Sequence, residues 1–290
     1  LIQNKCNLKS SKKLPKLKVN INKWIYFELL ETSKLIKKNI EAYRFDEAAK
    51  NAYHFAWHKY CDWYLELSKT ILFSKNSKAQ KEVREVSTFV FRQILIMLHP
   101  FIPFITEKIW LTNKFDNKSK NFLMLSNWIS GKSKKDTDHK QVQQIIDIIS
   151  EIRSFKNELN VSPGSYIDVS IQSLRKNNQS FIINNEIIIK KLGRINSFFK
   201  KHQNKPAASL IISGDLFKVY FDENVDLNVI KDNLLKRQNK YKEEMDKIFQ
   251  RLNNKGFAQR APKDIVQQEK TNYSNLKNDI KKISVTIQSL

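Results

Sequence analysis

The last 65 residues carry the pattern that most constrains the fold, because apolar side chains recur there at alternating spacings of three and four. The three-and-four spacing starts at Val266 and continues without a slip through the charged Glu269 and then Tyr273, Leu276, Ile280, Ile283, Ile287 and Leu290. An earlier run follows the same heptad approximately, through Leu227, Ile230, Leu234, Tyr241, Ile248 and Leu252. Each run places one apolar stripe along a helix, and two such helices bury their stripes against each other.

The connection between the two runs contains the residues that end one helix and begin another. Gly256 suits the position just after a helix, and Pro262 suits the first turn of the returning helix. Arg237 and Glu244 interrupt the first stripe without removing it. Residues 226–290 are therefore predicted to form an antiparallel coiled-coil hairpin.

The first half of the chain is also helical in pattern. Asn22 is expected to cap a helix with Trp24, Phe27, Leu30 and Leu35 on its apolar face. Asp46 opens a second, long stretch whose apolar face runs through Ala48, Ala49, Ala52, Phe55, Ala56, Tyr60, Trp63, Leu67 and Ile71.

Two further helices complete this part. A third stretch carries apolar residues at spacings of three and four, namely Val83, Val86, Val90, Ile94 and Met97. Pro100 stops it, Pro103 suits the first turn of a fourth helix, and Ile105, Ile109 and Trp110 are expected to face inward. Helices joined by short connections predict a bundle.

The middle of the chain changes character. Periodicity is lost over residues 113–140, and a helix then resumes with Ile145, Ile149, Ile152, Phe155 and Leu159 on one face. Ser162-Pro163-Gly164 is a strong turn signal. A strand over Tyr166–Ile171, a short helix over Phe181–Leu192 and a hairpin joined through Gly214-Asp215 predict a small α+β module.

The predicted class is thus mainly α, in four segments. Residues 1–19 form a connection, 20–130 a helical bundle, 140–225 the α+β connector module and 226–290 the coiled-coil arm. The formal charge of +23 points to a polyanionic partner. Cys6 and Cys61 show no metal or disulfide spacing, which fits a reducing cytoplasm. No apolar run reaches the roughly 18 to 20 residues of a spanning helix, so no membrane partner is expected.

The search for catalytic motifs is negative. The five glycines are unclustered, which leaves neither a P-loop nor a dinucleotide fingerprint. His54 and His58 have the spacing of a metal-binding pair, but no third ligand accompanies them, and surface histidines are the better interpretation. No catalytic, cofactor-binding or metal-binding residue is predicted in this chain.

Tyr43 to Lys69 is the segment richest in aromatic residues. These rings are dense enough to stack on bases, although helical spacing indicates that Phe45, Phe55 and Trp63 belong to the core. Arg44, Trp57 and Lys59 fall off the main apolar face and are the expected nucleic-acid contacts.

Three blocks of sequence resemble one known family, in that family's order. RFDEAAKNAYHFAWHKYCDWYLEL, with LHPFIPFITEKIW, looks like the anticodon-binding domain of class I aminoacyl-tRNA synthetases for valine, isoleucine and leucine. CDWYLE is most like the valine-tRNA ligase family. LNVSPGSYIDVSI and LNNKGFAQRAPKDIVQQEK resemble the segment after that domain and the tip of the coiled-coil arm in the same family.

The resemblance implies that the bundle reads the anticodon and that the arm contacts the outer corner of the tRNA. Residues 226–290 hold 14 Lys or Arg against 8 Asp or Glu, so the arm is net positive. Only its seam is needed for folding, which leaves basic residues near its tip to meet phosphates, namely Arg251, Lys255, Arg260 and Lys263.

The family also implies what lies outside this chain. Its members carry an upstream catalytic domain and an inserted editing domain, which use ATP and Mg²⁺ to join valine to its tRNA. The motifs of those domains are absent from this sequence, so this segment alone is expected to be inactive and to hold no cofactor. The expected partners are valine tRNA and the upstream catalytic domain, with the protein monomeric in the cytoplasm.

Two alternatives remain open. One is the corresponding segment of an isoleucine or leucine ligase, against which the heptad hairpin with NKGFAQRAP argues. The other is a non-catalytic coiled-coil RNA-binding or scaffold protein, since the seam from Val266 to Leu290 serves a scaffold equally well.

Overall fold

The structure is a computed structural model. It describes residues 6, 13–115, 122–131, 137–159, 161–162, 164–173, 182, 185–199, 206, 208–212, 215–221, 227–254 and 263–289. The chain divides into two compact units, Leu1–Ile146 and Asp147–Leu290. In the described ranges no helix is both long and apolar enough to cross a membrane.

The first unit is a helical bundle, as the sequence predicts. Its helices are α1 (Asn20–Glu41), α2 (Phe45–His54), a π-helix (Phe55–Leu65), α3 (Glu66–Leu72), α4 (Ser77–Leu98) and α5 (Pro103–Thr112). A 3₁₀ turn spans Leu123–Leu125, and α6 (Thr137–Glu158) begins in this unit. The core includes Trp24, Ile25, Leu29, Phe55, Tyr64, Val86, Val90 and Met97.

Asn22 does not cap α1, contrary to the prediction. Val19 takes the cap position, and Asn22 is buried as the third residue of the helix. Its amide donates to Glu82 Oε1 at 2.9 Å and accepts from the Tyr64 hydroxyl at 2.7 Å. The Glu82 oxygen also accepts from the backbone N–H groups of Lys18 and Val19, each at 2.9 Å. A carboxylate from α4 therefore satisfies donors at the start of α1, where sequence alone suggested a local cap.

The π-helix changes which aromatic residue faces the core. Its i→i+5 bonding lengthens the repeat of buried positions, so Phe55, Tyr60 and Tyr64 are buried while Trp63 is half-buried. Phe55 is a core residue as predicted. The core assignment of Phe45 was wrong, because its side chain is 54% exposed at the start of α2.

Two other predicted inward residues lie at the surface. Leu35 on α1 is 44% exposed and Ile105 on α5 is 54% exposed. On α5 the inward positions are Thr106 and Trp110, and the Trp110 ring packs against Phe115 with centroids 5.3 Å apart. The proline start of α5 is confirmed, since Pro103 is its first residue.

The second unit contains the α+β module. Its strands are β1 (Ile167–Ser173), β2 (Ile195–Phe199), β3 (Ala208–Ile212) and β4 (Asp215–Phe221), with α7 (Glu186–Gly193) between β1 and β2. The sheet order is β2-β1-β4-β3, with β1 parallel to β2 and the other pairs antiparallel. The hairpin of β3 and β4 is as predicted, whereas β2 was not predicted from sequence.

The coiled-coil hairpin also lies in the second unit and is confirmed. It consists of α8 (Leu227–Asn253) and α9 (Lys263–Ser289). Every described seam position of α9 from Val266 to Ile287 is buried or half-buried. Arg237 interrupts the apolar stripe of α8. The next residue, Gln238, is buried there and donates to the Ser284 hydroxyl at 2.7 Å.

Candidate nucleic-acid interface

The turn between α1 and α2 presents two exposed aromatic rings around Arg44. Tyr43 has a left-handed backbone, with φ of 57°, and its ring is 82% exposed. It meets the Phe45 ring edge to face, with centroids 6.2 Å apart. Asn39, which is itself buried, accepts from the Arg44 guanidinium at 2.8 Å through Oδ1 and from the Arg44 N–H at 2.8 Å through its carbonyl. The packed helix thus fixes the orientation of an exposed arginine.

A second group of exposed rings follows along α2 and the π-helix. We call Tyr53, His54, Trp57 and His58 the aromatic cluster. The Tyr53 and Trp57 rings are parallel within 7°, with centroids 6.3 Å apart, and both are more than half exposed. His54 and His58 lie beside them, with centroids 4.9 Å apart. A flat, exposed, preformed stack of this kind suits base stacking, because every base has a π face.

The histidines of the cluster are not arranged as a metal site. His58 Nδ1 lies 3.0 Å from Asp62 Oδ2. Burial lowers the pKa of His54, and the neighbouring His58 and Lys59 lower it further. Across the described residues no group of three or more His, Cys, Asp or Glu side chains is placed to hold a metal ion.

The three predicted contacts in the bundle occupy different surroundings. Arg44 and Trp57 are exposed, as a nucleic-acid contact requires. Lys59 instead lies half-buried, with its ammonium 3.5 Å from Glu28 and 5.8 Å from the centroid of the Trp24 ring. Its role as an RNA contact stays a prediction, in competition with this ion pair.

Sequence reasoning missed Tyr43, Phe45 and Tyr53 as exposed rings. The i, i+4 spacing of Tyr53 and Trp57 was the available signal, since residues four apart meet on a helix surface. Phe45 was misassigned because the apolar spacing of α2 was extended back through its first residue, where the helix begins at the surface.

The arm offers a second basic surface. Arg251 lies near the end of α8, and its side chain is 61% exposed while one guanidinium nitrogen lies 3.4 Å from Glu269 of α9. An exposed pair of this kind is weak, so a phosphate can compete for the arginine. Lys255 and Arg260 lie outside the described residues. Lys263 is the first residue of α9, and its side chain is not described.

The chain thus combines a helical bundle that displays aromatic rings with a basic coiled-coil arm, which defines a class of RNA-binding region. The comparisons with known proteins agree. The anticodon-binding domain of tRNA ligases matches residues 22–171, and the tRNA-binding arm of valyl-tRNA synthetases matches residues 226–290. The chain belongs to this family of tRNA ligase anticodon-binding domains and is a tRNA-binding region.

The relatives that it matches include several valine-tRNA ligases. It is 66% identical to the valine-tRNA ligase of Pelagibacter ubique over 290 residues, which is 100% of this chain and 33% of that enzyme. The enzyme of Bartonella quintana is 31% identical over 95% of the chain, and that of Zymomonas mobilis 31% identical over 99%. The chain spans about a third of the length of these relatives. The matched region is their carboxy-terminal part.

Proposed function

We propose that this chain holds valine tRNA for a valine-tRNA ligase, so that the tRNA 3′ end reaches the active site where valine is attached. The bundle binds the anticodon end of the tRNA, and the arm contacts its outer corner. Remote contacts of this kind supply binding energy that orients the reacting end. The observation that carries the proposal is the order of the two family matches, residues 22–171 and then 226–290, which contain the exposed aromatic cluster and the basic arm respectively.

We assign one role in tRNA binding to each of the segments predicted from the sequence. Residues 20–130 read the anticodon, 140–225 connect, 226–290 form the arm, and 1–19 enter from an upstream domain. Within these segments we propose Arg44, Trp57 and Lys59 as contacts to the anticodon loop. At the arm tip we propose a set of basic contacts to the tRNA corner, namely Arg251, Lys255, Arg260 and Lys263.

The chemistry of the ligation belongs elsewhere in this proposal. The described residues provide neither a carboxylate cluster for Mg²⁺ nor, given five scattered glycines, a phosphate-cradling loop for ATP. We place both ATP and Mg²⁺ in the catalytic part of the enzyme. We further propose that the enzyme is monomeric and works in the cytoplasm.

An apolar surface supports the catalytic domain as a second partner. Phe104 on α5 is 91% exposed, and Leu111 on the same helix is 48% exposed. The adjacent 3₁₀ turn, held to α5 by Glu107 accepting from the Leu123 N–H at 3.0 Å, exposes Met124 and Leu125 by 71% and 70%. Exposed apolar groups on neighbouring elements are typical of an interface.

This partner can be tested apart from the tRNA. Phe104→Ser should weaken binding of this chain to a separately produced catalytic part of a valine-tRNA ligase, while tRNA affinity stays unchanged. Unchanged association between the two protein parts would remove α5 from the interface.

The tRNA specificity is tested by titrating the chain with valine, isoleucine and leucine tRNAs and with random RNA of equal length. We expect the tightest binding to valine tRNA. Preference for the isoleucine or leucine tRNA would favour the related ligases. Equal affinity for all four RNAs would instead favour a general RNA-binding or scaffold protein and contradict anticodon reading.

A further inference from the structure

The α+β module contains a cavity of about 350 Å³ with a basic lining. It lies where the last turns of α6, the turn before β1 and the end of α7 meet. Its polar lining comes from Arg153, Lys156, Arg194 and Asn157, and the remainder from Gly164, Leu192 and Gly193. None of these seven lining residues is acidic, so the wall carries three positive charges.

The two basic residues from α6 are held in place by neutral acceptors. Lys156 is only 2% exposed, and its ammonium donates to the carbonyls of Ser165, Gly193 and Arg194 at 2.8, 3.0 and 3.1 Å. Arg153 donates through Nε and Nη2 to the Leu192 carbonyl at 3.1 and 2.8 Å. These bonds satisfy carbonyls at the end of α7, which a helix otherwise leaves without partners.

The positive charges in the wall act on one another. Burial, together with the charges of Arg194 and Arg153, lowers the pKa of Lys156 to about 8. Perturbed ionisable groups cluster at functional sites. An anion in the cavity would stabilise the charged form of these side chains.

Arg194 is the residue placed to contact such an anion. It follows α7 in a left-handed conformation, with φ of 51° and ψ of 59°, and its side chain is exposed. Lys156 binds the carbonyls of both Gly193 and Arg194, which holds this unusual turn. The guanidinium lies 5.9 Å from the centroid of the Tyr166 ring, which is 47% exposed.

We propose that this cavity binds a phosphodiester group of the tRNA backbone, so that the module is a third RNA-contacting element and more than a connector. Arg194 contacts the phosphate directly, because a guanidinium fork matches its oxygens. Arg153 and Lys156 act as positioning residues that supply positive potential. The half-exposed Tyr166 beside Arg194 favours a nucleotide over free phosphate, since its ring can stack on a sugar or base. This inference rests on the proposed tRNA binding.

The test compares three single variants of the whole chain for tRNA affinity at several salt concentrations and for binding of inorganic phosphate. Arg194→Asn removes the charge with a residue that tolerates the left-handed backbone. Arg194→Lys keeps the charge, and Lys191→Gln removes one exposed charge from α7 outside the cavity. Circular dichroism checks that each variant keeps its helices.

We expect Arg194→Asn to weaken tRNA binding roughly tenfold, the loss of one charged hydrogen-bonding contact. The slope of log affinity against log salt should fall by about one. Arg194→Lys should restore the slope, and Lys191→Gln should have a clearly smaller effect.

Three outcomes would overturn the inference. Equal effects of Arg194→Asn and Lys191→Gln would show only a general charge effect. Loss of inorganic phosphate binding without any change in tRNA binding would assign the cavity to a free anion. Normal tRNA binding by Arg194→Asn, with arm variants still impaired, would reject this site alone, whereas failure of the unaltered chain to bind tRNA would reject the proposed function itself.

Discussion

At the scale of single residues, the parallel stack of Tyr53 and Trp57 is the sharpest candidate for RNA recognition. The two rings are parallel within 7° and exposed in the free protein, so little ordering is needed before a base can stack on them. The aromatic cluster is therefore preformed, and its contribution should depend on the rings more than on nearby charges.

Replacing these rings gives the first prediction. Trp57→Ala should weaken binding of an anticodon stem-loop by about 1–3 kcal/mol, the range for one lost base stack. Phe73→Ala is the matched control, because Phe73 is an exposed ring, 77% accessible, at the far end of α3. Fluorescence anisotropy with a labelled stem-loop measures both. Equal losses from the two variants would mean that Trp57 is not a base-stacking residue.

The buried Lys156 gives a second prediction, on stability. Its folded pKa of about 8 lies below the ordinary value of 10.5, so between these pH values the unfolded chain binds more protons. The free energy of unfolding should therefore rise through this window, by at most about 3 kcal/mol from this group. Below pH 8 both states are protonated and this gain is lost.

Lys156→Met isolates the effect of that one group. It removes the donor of the Ser165 and Gly193 carbonyls, whereas the Arg194 carbonyl still accepts from the Ile167 N–H at 3.2 Å. The module should be destabilised at pH 7, by about 1–3 kcal/mol for each buried carbonyl left unsatisfied. Urea unfolding at several pH values gives the difference between the two proteins, in which other titrating groups cancel. That difference should grow from pH 8 to 10.5, and a constant difference would contradict the lowered pKa.

At the scale of elements, folding of the arm depends on the residues of its seam, whereas RNA binding can use charged residues on its surface. Most of its seam positions are apolar, and the buried Gln238 beside them donates through its amide to the Ser284 hydroxyl. A buried polar pair of this kind can select one register of a coiled coil. The arginines proposed for binding lie outside the two apolar stripes, so they can be replaced without removing the contacts that hold the two helices together.

The third prediction concerns these outer charges. Substituting both Arg251 and Arg260 by Gln should weaken binding to whole tRNA but leave an isolated anticodon stem-loop unaffected, because the arm is proposed to contact only the tRNA corner. Lys231→Gln, an exposed charge at the opposite end of α8, is the control. If both RNAs weaken to the same extent, the arm does not contact the corner.

At the scale of the whole molecule, the charge of +23 predicts a phosphate-led interface. If Arg44, Arg194, Arg251 and Arg260 each neutralise one phosphate, log affinity should fall against log salt with a slope of about −3 or steeper. Filter binding between about 50 and 200 mM salt measures it. A nearly flat dependence would mean that phosphate contacts contribute little.

Patterns formed by residues close together in the chain predicted much of the fold. Proline and heptad spacing predicted α5 and both arm helices, and the three family blocks predicted a tRNA-binding region, because such patterns depend on residues close in the chain. Arg44 and Trp57 could be proposed for the same reason. Strand β2 was missed because five residues of mixed polarity become a strand only by pairing with β1, which lies some 28 residues earlier.

The sequence by itself therefore determined the helices, the arm and the family, since these follow from periodicity and ordered motifs. The tertiary structure decided which side chains meet. It buried Asn22 against Glu82 and Tyr64, left Phe45 exposed, and gathered Arg153, Lys156 and Arg194 around one cavity. Spacing along a helix specifies a face but does not specify what packs against it, and the charge and exposure of a site depend on that packing.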